Sequence, residues 1–195
     1  MIKLAIFDAY GVTLTGGYPQ TCKALAKKFN KDWKEIYSIV YTKYFNMAAE
    51  RKITQEEAWE KAINELNLPI TIEDLKKVHY SLMNLNKEVI SFVESLNFPT
   101  LLLTKNTRDQ LNDTEELLGF CKYFDNVINT WEINLPKDSK ETYDYISTHF
   151  DVKPDEIVYI DDQEQNLVEA KKLGIKTILY LSFNQFKDDF NKLYT

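Results

Sequence analysis

The sequence predicts an α/β protein with a parallel sheet, interrupted early by a helical insertion. Three observations carry that prediction. Short apolar runs recur along the chain, and several of them end in polar residues. Helical patterns separate the later runs, and strands alternating with helices imply a parallel sheet wound on both faces. About 90 residues with no strand pattern lie between the first run and the second, far more than a single crossover helix needs.

Taken in order, Leu4-Ala5-Ile6-Phe7 is a continuous apolar run ending in Asp8, which suits a strand buried on both faces. The insertion then reads as four helices with apolar residues at helical spacing: Cys22-Leu25-Ala26-Phe29, Trp33-Ile36-Val40-Tyr44, Trp59-Ala62-Ile63-Leu66 and Leu75-Val78-Leu82. Two of these helices announce their starts. Thr54-Gln55-Glu56-Glu57 is a capping box, and Thr71-Ile72-Glu73-Asp74 is its weaker form with Asp in place of Glu. Asn86 to Leu96 is the crossover helix back to the sheet. Further strands are expected at Pro99 to Leu103, Asn126 to Ile128, Glu156 to Ile160 and Lys176 to Tyr180. Thr142-Tyr143-Ile146 and Leu167-Ala170-Leu173 mark the helices between the last of these, and Gly174 supplies the helix stop that needs positive φ. The expected architecture is a Rossmann-like doubly wound parallel sheet core over residues 1–16 and 85–195, with a small four-helix cap domain over residues 17–84.

Composition narrows the function. With 44% hydrophobic and 13% aromatic residues and only five Gly and five Pro, the chain is an ordinary globular protein without long disordered stretches. Its net charge is −6, and the two arginines, Arg51 and Arg108, form no basic stripe, so nucleic-acid binding is disfavoured. No apolar run approaches the roughly 20 residues of a membrane helix. The start is too short for a signal peptide, and a cytoplasmic location is expected. Cys22 and Cys121 lack metal-type spacing and read as reduced, buried thiols. Arg51, His79 and His149 read as structural or exposed. Oligomeric state is left open.

In an open parallel sheet, ligands gather at the carboxyl ends of the strands. Those ends carry the polar residues here: Asp8-Ala9-Tyr10-Gly11, Thr104-Lys105-Asn106 and Asp161-Asp162, with Lys137 ahead of the helix leading to the Asp161 strand. Each has a plainer reading, as a turn cap, a strand-end hydroxyl, a helix N-cap or, for Lys137 and its neighbour Lys140, a solvated surface lysine. Three carboxylates at one end of adjacent strands would repel unless protonated or joined by a cation. Mg²⁺ suits such an all-oxygen site.

In this set and order the chain resembles the haloacid dehalogenase superfamily of phosphatases, phosphomutases and dehalogenases, along essentially its whole length. Asp8, Thr104, Lys137 and Asp161-Asp162 match the four family motifs. The segment Ile157-Val158-Tyr159-Ile160-Asp161-Asp162-Gln163-Glu164-Gln165-Asn166, with Ala170 and Leu173-Gly174 after it, looks like the fourth motif of the capped phosphatase branch. The resemblance implies Asp8 as the nucleophile, Thr104 as the catalytic group that holds the transferring oxygens, Lys137 as the one that neutralises their charge, and Gly11, Lys105 and Asn106 as substrate contacts. It implies a Mg²⁺ held by Asp8, the carbonyl of Tyr10 and Asp162, with Asp161 close behind.

One position departs from that branch. Its phosphatases place a second Asp two residues after the nucleophile, as general acid and base, where this chain has Tyr10. Such help is worth roughly 10² to 10⁴ in rate, and a phenol can donate a proton but is seldom a base near neutrality. Asp8-Ala9-Tyr10-Gly11 is instead similar to the first motif of the 2-haloacid dehalogenases, whose halide leaving group needs no proton. Those enzymes work without metal and lack the acidic pair of the fourth motif. Val12 stands where either branch often has Thr, and Lys105-Asn106 departs from the Asn-rich second motif. Three readings follow: a Mg²⁺-dependent phosphatase-type hydrolase of a small phosphorylated metabolite, slowed by Tyr10; a 2-haloacid dehalogenase; and a catalytically silent phosphate-ligand-binding or regulatory protein.

Overall fold

The computed structural model describes residues 1–194. In chain order the elements are β1 (Leu4–Asp8), β2 (Leu14–Thr15), α1 (Tyr18–Phe29), α2 (Trp33–Tyr37), a π-helical segment (Ser38–Phe45), α3 (Asn46–Ala49), α4 (Gln55–Glu65) and α5 (Ile72–Ser81). They continue with β3 (Asn84–Leu85), α6 (Lys87–Glu94), β4 (Thr100–Thr104), α7 (Arg108–Leu118), β5 (Asn126–Asn129), α8 (Thr130–Ile133), α9 (Lys140–Phe150), β6 (Ile157–Asp161), α10 (Glu164–Lys172), β7 (Lys176–Leu179) and α11 (Phe183–Asn191). The chain divides into two compact units. No helix among the described residues is long and apolar enough to cross a membrane.

The first unit comprises residues 1–14, 85–105 and 119 onward. It holds a five-stranded sheet in the order β5-β4-β1-β6-β7, with every adjacent pair parallel. β1, β4 and β6 are buried at every position, which explains why they read as apolar runs rather than alternating ones. Alternate side chains feed two cores. Leu4, Ile6, Leu101, Leu103, Ile157 and Tyr159 pack on Tyr143 and Ile146 of α9 and Leu167 and Ala170 of α10. On the other face, the ring of Phe7 meets Phe186 of α11, which in turn meets Phe92 of α6.

Strand ends differ from the sequence expectation by about one residue, because ladder pairing and not apolarity sets where a strand stops. At Gly174 (φ 89°) the chain leaves α10 with its N–H bonded to the Lys171 carbonyl, the predicted stop. The sequence reading named neither α7 nor α11.

The second unit comprises residues 15–84 and 106–118. Its core gathers Cys22, Leu25, Ile36, Val40, Phe45, Trp59, Ala62 and Leu75. Both predicted capping boxes form: Thr54 Oγ1 accepts from the Glu57 N–H and Thr71 Oγ1 from the Asp74 N–H, with the acidic side chains returning the bond. Trp33 to Tyr44, expected as one regular helix, is continuous, but from Ser38 onward it is π-helical. The wider turn brings positions i and i+4 close to eclipse, and Tyr37, Tyr41 and Phe45 stack with ring centroids 4.9 and 5.1 Å apart and interplanar angles of 25° and 12°.

Helix α7 clusters with this unit through a buried polar network. The Tyr18 hydroxyl donates to Gln110 Oε1 at 2.8 Å and lies 3.3 Å from the Trp59 indole nitrogen. Thr107 Oγ1 donates to Gln55 Oε1 at 2.9 Å. His79, 1% exposed, stands between Thr21 Oγ1 (2.8 Å from Nδ1) and Gln110 Nε2 (3.0 Å from Nε2). The Thr21 hydroxyl proton goes to the Gly17 carbonyl, so Nδ1 carries the imidazole proton and Nε2 accepts from Gln110. Burial drives the His79 pKa down to about 3.

His79 is thus the structural residue the sequence suggested, and His149 and Arg51 are exposed. Both cysteines are free, and Cys22 is fully buried. Cys121 is only half-buried, contrary to expectation, because it opens a short 3₁₀ turn instead of facing a helix core.

Candidate active site

Parallel pairing sets the site. Phe7 pairs with Ile160 and Asp8 with Leu103, so the carboxyl ends of β1, β4 and β6 present Asp8, Thr104 and Asp161 side by side. The chain leaves β1 for β4 and later returns to β6 on the opposite side of β1. That is the switch in strand order where crevices open.

After Asp8 the backbone turns tightly. The Thr13 hydroxyl donates to the Asp8 carbonyl at 2.8 Å, the Leu14 N–H donates to the Ala9 carbonyl at 2.7 Å, and the Gly11 N–H donates to the Leu14 carbonyl at 2.8 Å. Asn86 holds the turn from outside, its side-chain N–H donating to the Val12 carbonyl at 2.8 Å and its backbone N–H to the Thr13 carbonyl at 2.9 Å. Gly11 has φ 101° and lies against Asp162. Tyr10 is half-buried.

Asp8, Asp161 and Asp162 each offer a carboxylate oxygen, all within 4.8 Å of one another. Lys137, 5% exposed, joins the first two: Nζ donates to Asp8 Oδ1 in a short contact and to Asp161 Oδ2 at 2.8 Å. Of the two candidate lysines this is the one brought to Asp8. Lys140 is on the surface, paired with Asp144.

Asp161 is fully buried and heavily bonded. Besides Lys137 it accepts from the Tyr159 hydroxyl (2.5 Å), the Gln163 N–H (2.8 Å) and Asn166 Nδ2 (3.0 Å to each oxygen). Gln163 is the N-cap of α10, so neither Asp161 nor Asp162 takes that role. Thr104 Oγ1 is buried and has no hydrogen-bond partner among the described residues. A buried hydroxyl left so costs free energy and is a donor ready for a ligand oxygen. Lys105 follows, half-buried. Asn106 is buried and belongs to the stretch that clusters with the helical unit.

The electrostatics follow from burial and crowding. Burial pushes Asp8 up to about 8; the Lys137 ammonium pulls against it, and Asp161 and Asp162 add to it. Desolvation, then the charge of Asp161, raises Asp162 to about 6. Burial alone would lower Lys137, but Asp161 and Asp8 overcome it and hold the ammonium above its ordinary range. Three carboxylates thus face one ammonium, an excess of negative charge in an all-oxygen set. That donor chemistry fits a hard divalent cation.

Sequence reasoning missed Thr13, Tyr159, Asn166 and Asn86 as supports of this cluster. Tyr159 and Asn166 stood within the segment that resembles the fourth motif. Asn86 carried no signal, since its partner Val12 lies far away in sequence.

The sequence pattern of the haloacid dehalogenase-like hydrolase family matches residues 13–180, beginning just past Asp8. The bifunctional epoxide hydrolase 2 of Rattus norvegicus is 29% identical over 87 residues, and that of Mus musculus 28% over 86. Each match covers 42% of this chain but only 16% of the relative, so the chain spans a small part of the length of these curated relatives. Among solved structures, a HAD family enzyme of Bacteroides thetaiotaomicron superposes with a TM-score of 0.77 at 17% identity, covering 100% of this chain and 98% of that one. The same enzyme in complex with magnesium and inorganic phosphate gives 0.74 at 18% identity, over 91% and 93%. The L-2-haloacid dehalogenase of Xanthobacter autotrophicus gives 0.67 at 18% identity, over 91% and 76%. The likenesses at this identity speak for the fold, and a family pattern running through most of the sequence speaks for descent: the chain belongs to the haloacid dehalogenase-like hydrolase family.

Proposed function

We propose that the protein is a Mg²⁺-dependent phosphatase-type hydrolase of a small phosphorylated metabolite, with Asp8 as nucleophile. The observation that carries this reading is the convergence of Asp8, Asp161 and Asp162 on one point with Lys137 bridging the first two. The magnesium and phosphate complex of the structurally similar Bacteroides enzyme supports it. The helical insertion is read as the family's cap.

The Asp8 carboxylate attacks phosphorus, a bond forms from its oxygen, and the bond to the departing alcohol oxygen breaks. Water then attacks the aspartyl phosphate, releases inorganic phosphate and restores the carboxylate. Lys137 offsets charge on the transferring oxygens, and the Thr104 hydroxyl donates a hydrogen bond to one of them. Asp8, the Tyr10 carbonyl and Asp162 would hold Mg²⁺, which when bound supplies the positive charge that lets carboxylates and phosphate share one site. Tyr10 can give a proton to the departing alcohol but is a poor base for the water, so turnover is slow. Purified protein incubated with Mg²⁺ and a broad panel of phosphomonoesters should release phosphate; none released would sink this reading.

Tyr10 favours one rival, a 2-haloacid dehalogenase, and the structural likeness to the Xanthobacter enzyme agrees with it. Metal-independent halide release from 2-chloropropionate would establish that reading. Tyr10→Asp separates the remaining case: a gain of orders of magnitude in phosphatase activity over an inert wild type marks a catalytically silent protein that keeps the pocket to bind a phosphate ligand.

A further inference from the structure

We propose that Tyr159 is a positioning residue for Lys137, acting through Asp161. The inference rests on the phosphatase reading for its catalytic consequence but on geometry for its substance. The Tyr159 hydroxyl and the Lys137 ammonium converge on one atom, Oδ2 of Asp161, at 2.5 and 2.8 Å. The same ammonium contacts Asp8 and lies 5.8 Å from the centroid of the Tyr159 ring. Tyr159 thus meets Lys137 twice, through the shared carboxylate oxygen and through its π-face.

The two residues differ in how firmly the fold holds them. Lys137 lies in the loop between α8 and α9, at the end of a side chain with several rotatable bonds. Tyr159 is in the middle of a fully buried strand, with its ring 6.1 Å from that of Tyr143 and inside the core of its sheet face. A core position needs only the ring; Phe would fill it. The hydroxyl is a polar atom that burial disfavours unless bonded, and its bond is to the carboxylate that anchors the lysine. With Gln163 N–H and Asn166 Nδ2 taking the remaining directions, Tyr159 fixes Asp161 in one orientation. Asp161 then fixes the point from which Lys137 reaches Asp8. Asp161 so engaged serves the lysine, and the cation-holding role falls to Asp8 and Asp162.

The test compares Tyr159→Phe with Tyr143→Phe, which deletes the hydroxyl of a second buried tyrosine, bonded instead to a backbone carbonyl, that of Asn166. In protein labelled with ¹⁵N-lysine, the ammonium resonance of Lys137, assigned by its loss in Lys137→Met, should exchange slowly with water. Tyr159→Phe should speed that exchange by about tenfold or abolish the resonance, while Tyr143→Phe leaves it in place. An unmoved resonance in Tyr159→Phe, or an equal change in both variants, overturns the proposal. Should Tyr159→Phe fail to fold, the wild type decides: a Tyr159 hydroxyl proton with a cross-relaxation contact to the Lys137 ammonium supports the role, and no such contact refutes it. In turnover, Tyr159→Phe should lower kcat about tenfold with KM changed less than about twofold. Wild type that releases no phosphate while the ammonium test holds defeats the phosphatase reading alone; phosphate release with an unmoved resonance defeats the positioning role alone.

Discussion

A Cβ on Gly11 would lie 2.2 Å from Oδ2 of Asp162, and Gly11 has φ 101°, a region side chains avoid. Backbone and carboxylate approach this closely because β1 and β6 are neighbouring parallel strands whose carboxyl ends lie side by side. Gly11→Ala should therefore cost about 1–3 kcal/mol of stability from backbone strain, read by urea unfolding. It should also weaken Mg²⁺ binding about tenfold or more, since the Asp162 carboxylate must swing away. Unchanged Mg²⁺ affinity in a calorimetric titration would show that Asp162 does not hold the cation.

Thr104→Val should separate stability from ligand binding. The hydroxyl is buried without a partner among the described residues, so an isosteric methyl should leave the free protein as stable or up to about 1–3 kcal/mol more stable. Affinity for inorganic phosphate in the presence of Mg²⁺ should fall about tenfold. A variant that binds phosphate as wild type does would remove Thr104 from the site.

Folding disfavours the ionised form of Asp8. Its pKa is pushed from the ordinary 3.8 to about 8, first by burial, with Lys137 opposing. A carboxyl raised on folding favours the native state at low pH, and that contribution is lost as pH rises from about 4 to about 8. Asp8→Asn should accordingly raise the Tm of metal-free protein at pH 7 by about 2–8 °C, for a gain of about 1–2 kcal/mol, while abolishing turnover.

The same proton links Mg²⁺ binding to pH. A cation held by Asp8 must displace it, so affinity should climb with pH up to about 8, by about tenfold per unit where Asp8 is protonated, and each Mg²⁺ bound should release up to one proton. Calorimetry in two buffers of different ionisation enthalpy measures that release. Affinity flat from pH 6 to 8 would exclude Asp8 as a ligand.

His79 supplies an acid-labile element in the helical unit. Its folded pKa is lowered to about 3, with burial as the cause, against an ordinary 6.5. The unfolded chain therefore takes up a proton that the native state refuses, and stability is lost as pH falls through about 6.5 toward 3. Between pH 6.5 and 5 the loss should be up to about 2 kcal/mol. His79→Gln should be less stable at pH 7, having lost a bond to Thr21 or Gln110, yet lack this part of the pH slope in urea unfolding.

Much of the site was legible before the fold was known. Asp8, Thr104 and Asp161 could be named because each closes an apolar run, and a strand end is a local signal. Tyr10 was legible as an anomaly by its distance from Asp8. Lys137 was favoured over Lys140 by the motif match alone, because both lie beside the start of one helix, and only the fold shows that Lys137 is the one whose ammonium reaches Asp8. Helix α7 escaped notice for a related reason: its anchors, Gln110 and Thr107, are polar and find Tyr18, His79 and Gln55 only in three dimensions.

The sequence by itself determined the alternation of buried strands and helices, the capped helix starts and the chemistry available at the strand ends. Those are set by side-chain periodicity and backbone preference within a few residues. Tertiary structure alone decided that Lys137 spans 129 positions to reach Asp8, that Asp161 is occupied by its neighbours, and that the Thr104 hydroxyl is left over. Such outcomes depend on register between distant strands and on which donors compete for one carboxylate, quantities no local pattern encodes.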